Sequence, residues 1–195
     1  MYAMNDKKGQ KSTKKRWAGN AAKECAYLAV FVALVIAVQL VLSLVPGVEL
    51  VTVLFVSYAF VFGWKRGVAA ATVFSLLRQL VFGFYPVILV LYLVYFNLLA
   101  AIFGVLGTII WKNKKPIRAL PVVVLLACLG TVCFHMLDNI LTPIWFGYTQ
   151  RAAKAYFYAS LPFMVPQVVC SAISVGVLFL PLVTAFAYIK KSLRR

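Results

Sequence analysis

Arg78 stands in the run VFSLLRQLVF, five residues before Gly83, inside an otherwise apolar segment. Glu49, Tyr92, Asn97, Asp138, Asn139, Trp145 and Gln167 interrupt similarly apolar stretches. A guanidinium grips a carboxylate or phosphate through a planar fork. Amide and carboxylate groups fix a ligand's orientation, and aromatic rings stack on a flat ring system. These eight residues are the candidate substrate-binding set, with Glu49 at the rim. Arg151 and Lys154 add positive charge and, with Arg78, favour a ligand that carries a carboxylate or phosphate. The competing use of the same residues is structural: Arg78 pairs with Glu49 or Asp138 to hold helices together.

Catalytic patterns are sparse. His135 and Asp138 lie three apart, so on a helix they could meet as an acid–base pair. A helix-end hydrogen bond is the commoner use of such a pair. The chain has no G-x-x-x-x-G-K-[ST] for nucleotide phosphates, no H-E-x-x-H and no G-x-S-x-G elbow. A single histidine cannot supply a multi-histidine zinc site. The four cysteines lie in apolar segments without C-x-x-C spacing and read as small packing residues. The expectation is a protein that is not an enzyme, with no metal and no cofactor. A six-span membrane enzyme built on His135 and Asp138 is the alternative, and a non-transporting membrane scaffold is a third reading.

The elements that must carry these residues are membrane-spanning helices. Hydrophobic residues make up 64% of the chain and charged residues 12%, and the mean hydropathy is +0.95. The apolar runs are too long for a soluble domain of 195 residues. Six spans fit: about Ala22 to Leu44, about Val48 to Gly63, a third ending near Gly83, about Val87 to Ile110, Pro121 to about Leu141, and about Pro162 to Ile189. Spans two and three are short. Thr142 to Leu161 is the longest connection and is rich in aromatics, which suits a re-entrant or interfacial lid as well as a free loop. The Lys-rich arm before residue 20, and the lack of a small-residue cleavage site after span one, mark that span as a retained anchor.

Charge sets the expected orientation. The net charge is +16, and 17 of the 20 Lys and Arg residues sit in alternate connections: before span one, at Lys65-Arg66, from Lys112 to Arg118, and at the C-terminus. That is the positive-inside pattern, so both termini are expected in the cytoplasm. Attraction to anionic lipid accounts for the basic ends more simply than nucleic-acid binding. The organisation is a basic cytoplasmic arm over 1–20, a six-helix transmembrane substrate-binding domain over 21–190 and a basic tail over 191–195. In this orientation the polar residues gather in the outer half. Arg78 lies about 8 Å below the outer end of its span, at 1.5 Å per residue. The inner half holds scattered Ser57, Ser75, Ser174 and Thr184, which can bond back to their own helices. A channel carries polar lining through its whole depth; a cup for a small polar molecule does not.

One further pattern concerns span one. Ala22, Ala26, Ala29, Ala33 and Ala37 fall on one line of that helix, within a sector of roughly 80°. With the Phe62-Gly63 … Gly67 turn, the six spans and the chain length, this stripe resembles the S components of energy-coupling factor (ECF) transporters. Those are small prokaryotic membrane proteins that capture vitamins and related micronutrients. The resemblance covers nearly the whole chain. It implies a multi-pass protein of a prokaryotic cell membrane that binds its substrate in an outward-facing pocket. It also implies docking on a transmembrane T component that carries two ATPase subunits, and toppling in the membrane to release substrate inside. The five alanines are then the docking surface for the T component, since association in lipid depends on close packing between small residues. The other use of the stripe is packing against the chain's own bundle. The connection after span one is short, which leaves the aromatic Thr142–Leu161 segment as the expected lid.

Overall fold

A computed structural model of the chain describes residues 3–45, 48–111 and 116–193. The expected turn at Pro46-Gly47, the basic Lys112, Lys114 and Lys115, and Arg194 and Arg195 lie outside these residues. Within them every element is a helix: α1 (Ala3–Leu42), α2 (Val51–Phe62), α3 (Trp64–Phe82), α4 (Pro86–Trp111), α5 (Pro116–Trp145) and α6 (Gln150–Leu193). Four of these, α1, α4, α5 and α6, contain apolar stretches long enough to cross a membrane.

The arrangement is a ring around a hub. In the ring α1 touches α3, α3 touches α4, α4 touches α5, α5 touches α6 and α6 touches α1, while α2 touches all five. The sequence of α2, VTVLFVSYAFVF, explains its place. It is apolar on every side, and a helix without a polar face belongs in an interior. Its residues from Val51 to Val61 are all buried. With 12 residues it is about 18 Å long, against about 30 Å of bilayer hydrocarbon. The central element is therefore a plug that fills only part of the bundle's depth.

Glycines set the spacing around this plug. Gly63 joins α2 to α3 with φ +89°, a conformation that side chains with a Cβ rarely adopt. Gly107 of α4 lies against the Phe60 backbone so closely that an added Cβ would stand 2.0 Å from the Phe60 carbonyl oxygen. The C-terminal end of α2 also receives the Lys190 ammonium from α6, which donates to the Val61 carbonyl. A cation at that end satisfies an orphan carbonyl and complements the helix dipole.

Two expectations from sequence change here. The 142–161 connection is almost entirely helical. α5 continues to Trp145, and α6 starts at Gln150 and runs for 44 residues, about 66 Å. The two helices form a hairpin whose connecting turn is exposed. Pro162, the expected start of the sixth span, lies inside α6, as does Pro166. At the other end of the chain, α1 is one helix from Ala3, so the basic arm continues the first apolar helix without a break. Of the four small polar residues, Ser75, Ser174 and Thr184 bond back to Ala71, Ser171 and Leu180 carbonyls. The Ser57 hydroxyl has no partner.

Gly107→Ala should lower stability by about 1–3 kcal/mol or more, the usual cost of overpacking. Gly176→Ala in α6, where nothing lies within 4 Å of the added methyl, should be neutral or gain about 0.5–1 kcal/mol. Thermal unfolding of both variants in detergent checks the pair.

Candidate functional site

The turn at Gly63 fixes where α3 meets the end of α2. Counting equal distances from the turn, Val51 at the start of α2 lies level with Ser75 on α3. Arg78 is one turn further on, about 4–5 Å past the end of the hub. A cavity of about 310 Å³ opens at that level. It is lined from every helix: Gln39 of α1, Val51 of α2, Arg78 and Phe82 of α3, Tyr92 and Phe96 of α4, Phe134 of α5 and Gln167 of α6, with Glu49 on the segment entering α2. Beneath it, Phe55, Phe74 and Phe96 form an aromatic cluster with ring centroids 4.9–5.3 Å apart. The site has polar walls and an apolar floor.

Arg78 is only 9% exposed. Its Nε donates to Gln39 Oε1 at 3.2 Å, and the Gln39 amide in turn donates to the Tyr92 hydroxyl at 2.9 Å. The guanidinium lies between two rings, 4.2 Å from the Tyr92 centroid and 4.6 Å from that of Phe82. Cation–π contacts of this kind are worth up to about 2 kcal/mol when desolvated. The Nη1 atom is buried and has no hydrogen-bond partner. Neither Glu49 nor Asp138 pairs with Arg78; the ion pair among the described residues is Arg66 with Glu24.

Glu49 has partners of its own. Thr52 donates to Oε1 at 2.8 Å and Gln167 Nε2 donates to Oε2 at 2.9 Å. Gln167 Oε1 faces His135 Nε2 at 2.8 Å, so α5, α6 and the start of α2 share one chain of hydrogen bonds. The Glu49 backbone N–H also points to Cys170 Sγ at 3.3 Å.

The candidate residues from sequence thus separate. Glu49, Arg78, Tyr92 and Gln167 line one cavity. Asn97 lies off it and accepts from Thr72 at 3.1 Å, tying α3 to α4. Asp138 accepts from Thr142 and Tyr156, both at 2.8 Å, and Asn139 donates to Ser160 at 2.9 Å, so these two hold α5 to α6 near the turn that joins them. Trp145 is exposed at the end of α5, and no residue of 142–161 lines the cavity. Arg151 and Lys154 are exposed on α6, away from Arg78's cavity. His135 and Asp138 have different partners and do not form the acid–base contact that their spacing allows. No group of three or more His, Cys, Asp or Glu residues able to hold a metal occurs among the described residues. The four cysteines are free.

Gln39, Phe82 and Phe134 were not among the candidates. Gln39 had a signal: it is a carboxamide near the end of a helix otherwise suited to lipid. The two phenylalanines had none, because a lining phenylalanine and a core phenylalanine look alike in sequence.

No protein-family model, curated protein or solved structure matches the chain.

An unpaired buried donor costs about 1–3 kcal/mol. Arg78→Met keeps the apolar stem and removes the charge. Loss of the Gln39 bond and the ring contacts offsets loss of the unpaired donor, so the variant should stay within about 1 kcal/mol of the original protein. A larger fall in stability would mean that Arg78 is a structural strut. Tyr156→Phe should speed amide exchange over residues 146–160 by roughly tenfold, since a hydrogen bond to a charged group is worth about 1.5–3 kcal/mol. Exchange in α2 should not change.

Proposed function

We propose that this chain is a capture subunit of a membrane uptake system: the substrate-binding S component of an ECF transporter. It takes a vitamin or related micronutrient from outside and delivers it inward by docking on a T component with two ATPase subunits. The observation that carries the reading is the cavity at the end of the short hub. It is lined from all six helices, carries a buried arginine without a carboxylate partner, and ends on packed aromatic rings. Such a site receives a molecule from one side and offers it no continuous polar path to the other.

The six-span topology belongs to this proposal, with both termini in the cytoplasm and the cavity facing outward. In it α2 and α3 act as a pair of inner spans, with α2 reaching the bilayer's outer part through the Val48–Leu50 segment. The basic Lys65-Arg66 turn and Lys190 and Lys191 share the end of the bundle opposite the cavity, which supports that orientation.

The alanine stripe supports the partner. Ala22, Ala26, Ala29, Ala33 and Ala37 are all exposed, while Phe31, Val32 and Val35 form the buried face of α1. The stripe therefore does not pack against the chain's own bundle. Of the four long apolar helices, α1 is the least covered.

Purification of the chain alone, followed by mass spectrometry of what it retains, tests capture. A single tightly held small molecule is expected, and a chain that neither retains nor binds one overturns the reading. Replacing both Ala29 and Ala33 with Trp should spare ligand binding by the isolated protein and abolish uptake by the assembled system. Equal loss of both activities would place the stripe in the chain's own packing.

A further inference from the structure

The cavity holds two formal charges that do not meet. Arg78 and Glu49 both line it, yet they form no ion pair. In low dielectric two opposite charges attract strongly, and unpaired ones are costly. Each is instead held in place by other groups: Arg78 by Gln39 and two rings, Glu49 by Thr52 and Gln167. Their positions are fixed with the space between them left open.

What each still offers is specific. The Arg78 guanidinium packs against the Tyr92 and Phe82 rings, its Nε is taken by Gln39, and its buried Nη1 lacks a partner, so a ligand's acceptor would complete its hydrogen bonding at the edge. A planar carboxylate meets such an edge in its own plane. Glu49 accepts one side-chain hydrogen bond on each oxygen, and a carboxylate has about four acceptor positions, so it can take further donors. The rest of the lining includes Phe96, Phe134 and aliphatic residues, which suit an apolar body.

The charge sum selects the ligand class. Arg78 and Glu49 bring the empty lining to a net zero. A monoanion would leave it at −1, a phosphate dianion at −2 and a simple amine at +1, each within aromatic walls that solvate charge poorly. An uncharged ligand would answer neither group. We infer that the cavity takes a small zwitterion of amino-acid type, its carboxylate on the edge of Arg78, its ammonium on Glu49 and its apolar body against Phe96 and Phe134. This rests on the capture reading and narrows its substrate class.

The test is a thermal-shift screen of the full chain in detergent at pH 7 with five pools: zwitterionic amino acids, monocarboxylates, dicarboxylates with phosphate esters, amines, and uncharged metabolites. The zwitterion pool should raise the unfolding temperature and the other four should not. Its active member should bind at least tenfold more weakly to Arg78→Gln and to Glu49→Gln. On the unaltered protein, the same compound lacking its amino group, or lacking its carboxylate, should also bind at least tenfold more weakly. That arm stands even if a variant fails to fold. Stabilisation by another pool but not by zwitterions overturns this inference and leaves capture standing. So does an active zwitterion whose affinity survives loss of either charged end. If no pool stabilises the protein, capture and inference fall together.

Discussion

A helix that is apolar on all sides and only 12 residues long has to be surrounded, and it cannot fill the bundle that surrounds it. Most of the architecture follows from that mismatch. Burying α2 requires neighbours in every direction, which the five other helices supply as a closed ring. Gly107 lets α4 come to backbone distance of the plug, and Lys190 satisfies the end of the plug that lies near the basic turn. At the other end the ring continues after the plug has stopped, and the space left is the cavity. Its lining is drawn from all six helices for the same reason.

The polar residues then divide by whether they meet a partner helix or that open space. Asn97 finds Thr72, Asp138 finds Thr142 and Tyr156, and Asn139 finds Ser160. Each ties two helices or, in the Asp138–Thr142 case, one helix turn, and away from water such bonds bring specificity to packing that is otherwise between apolar surfaces. Arg78 lies one turn beyond the plug and lines the cavity, with no carboxylate partner. Its charge rests on a carboxamide and two rings, and one donor is left over. That leftover buried donor costs the protein some stability.

Much of this was legible in the sequence, and the parts that were not have physical causes. The apolar runs gave the helices, and Gly63 gave the sharp turn between α2 and α3, because few other residues adopt its positive φ. Four cavity residues, Glu49, Arg78, Tyr92 and Gln167, could be found because polar groups in apolar helices are expensive. The same rule also selected Asn97, Asp138 and Asn139. It detects that a polar group needs a partner and is blind to which partner it has. Helix ends were harder to read: Pro162 and Pro166 are ordinary helix breakers, yet α6 passes through both, as prolines within membrane helices often allow. The depth of α2 was invisible because a short buried helix and a short span have the same composition.

α1 joins the two surfaces on which the functional reading depends. Its exposed side carries the alanines, and its buried side, on the line of Phe31, Val32 and Val35, leads to Gln39. Gln39 accepts from Arg78 and donates to Tyr92, so it fixes the cation on one wall of the cavity. The helix itself is held along a narrow apolar face and is the least covered of the long helices. A partner seated on the alanines would therefore act on the least covered wall of the site, through one helix about 10–12 Å across and one carboxamide. A tilt of α1 relative to α3 and α4 would strain both bonds that Gln39 makes, to Arg78 and to Tyr92.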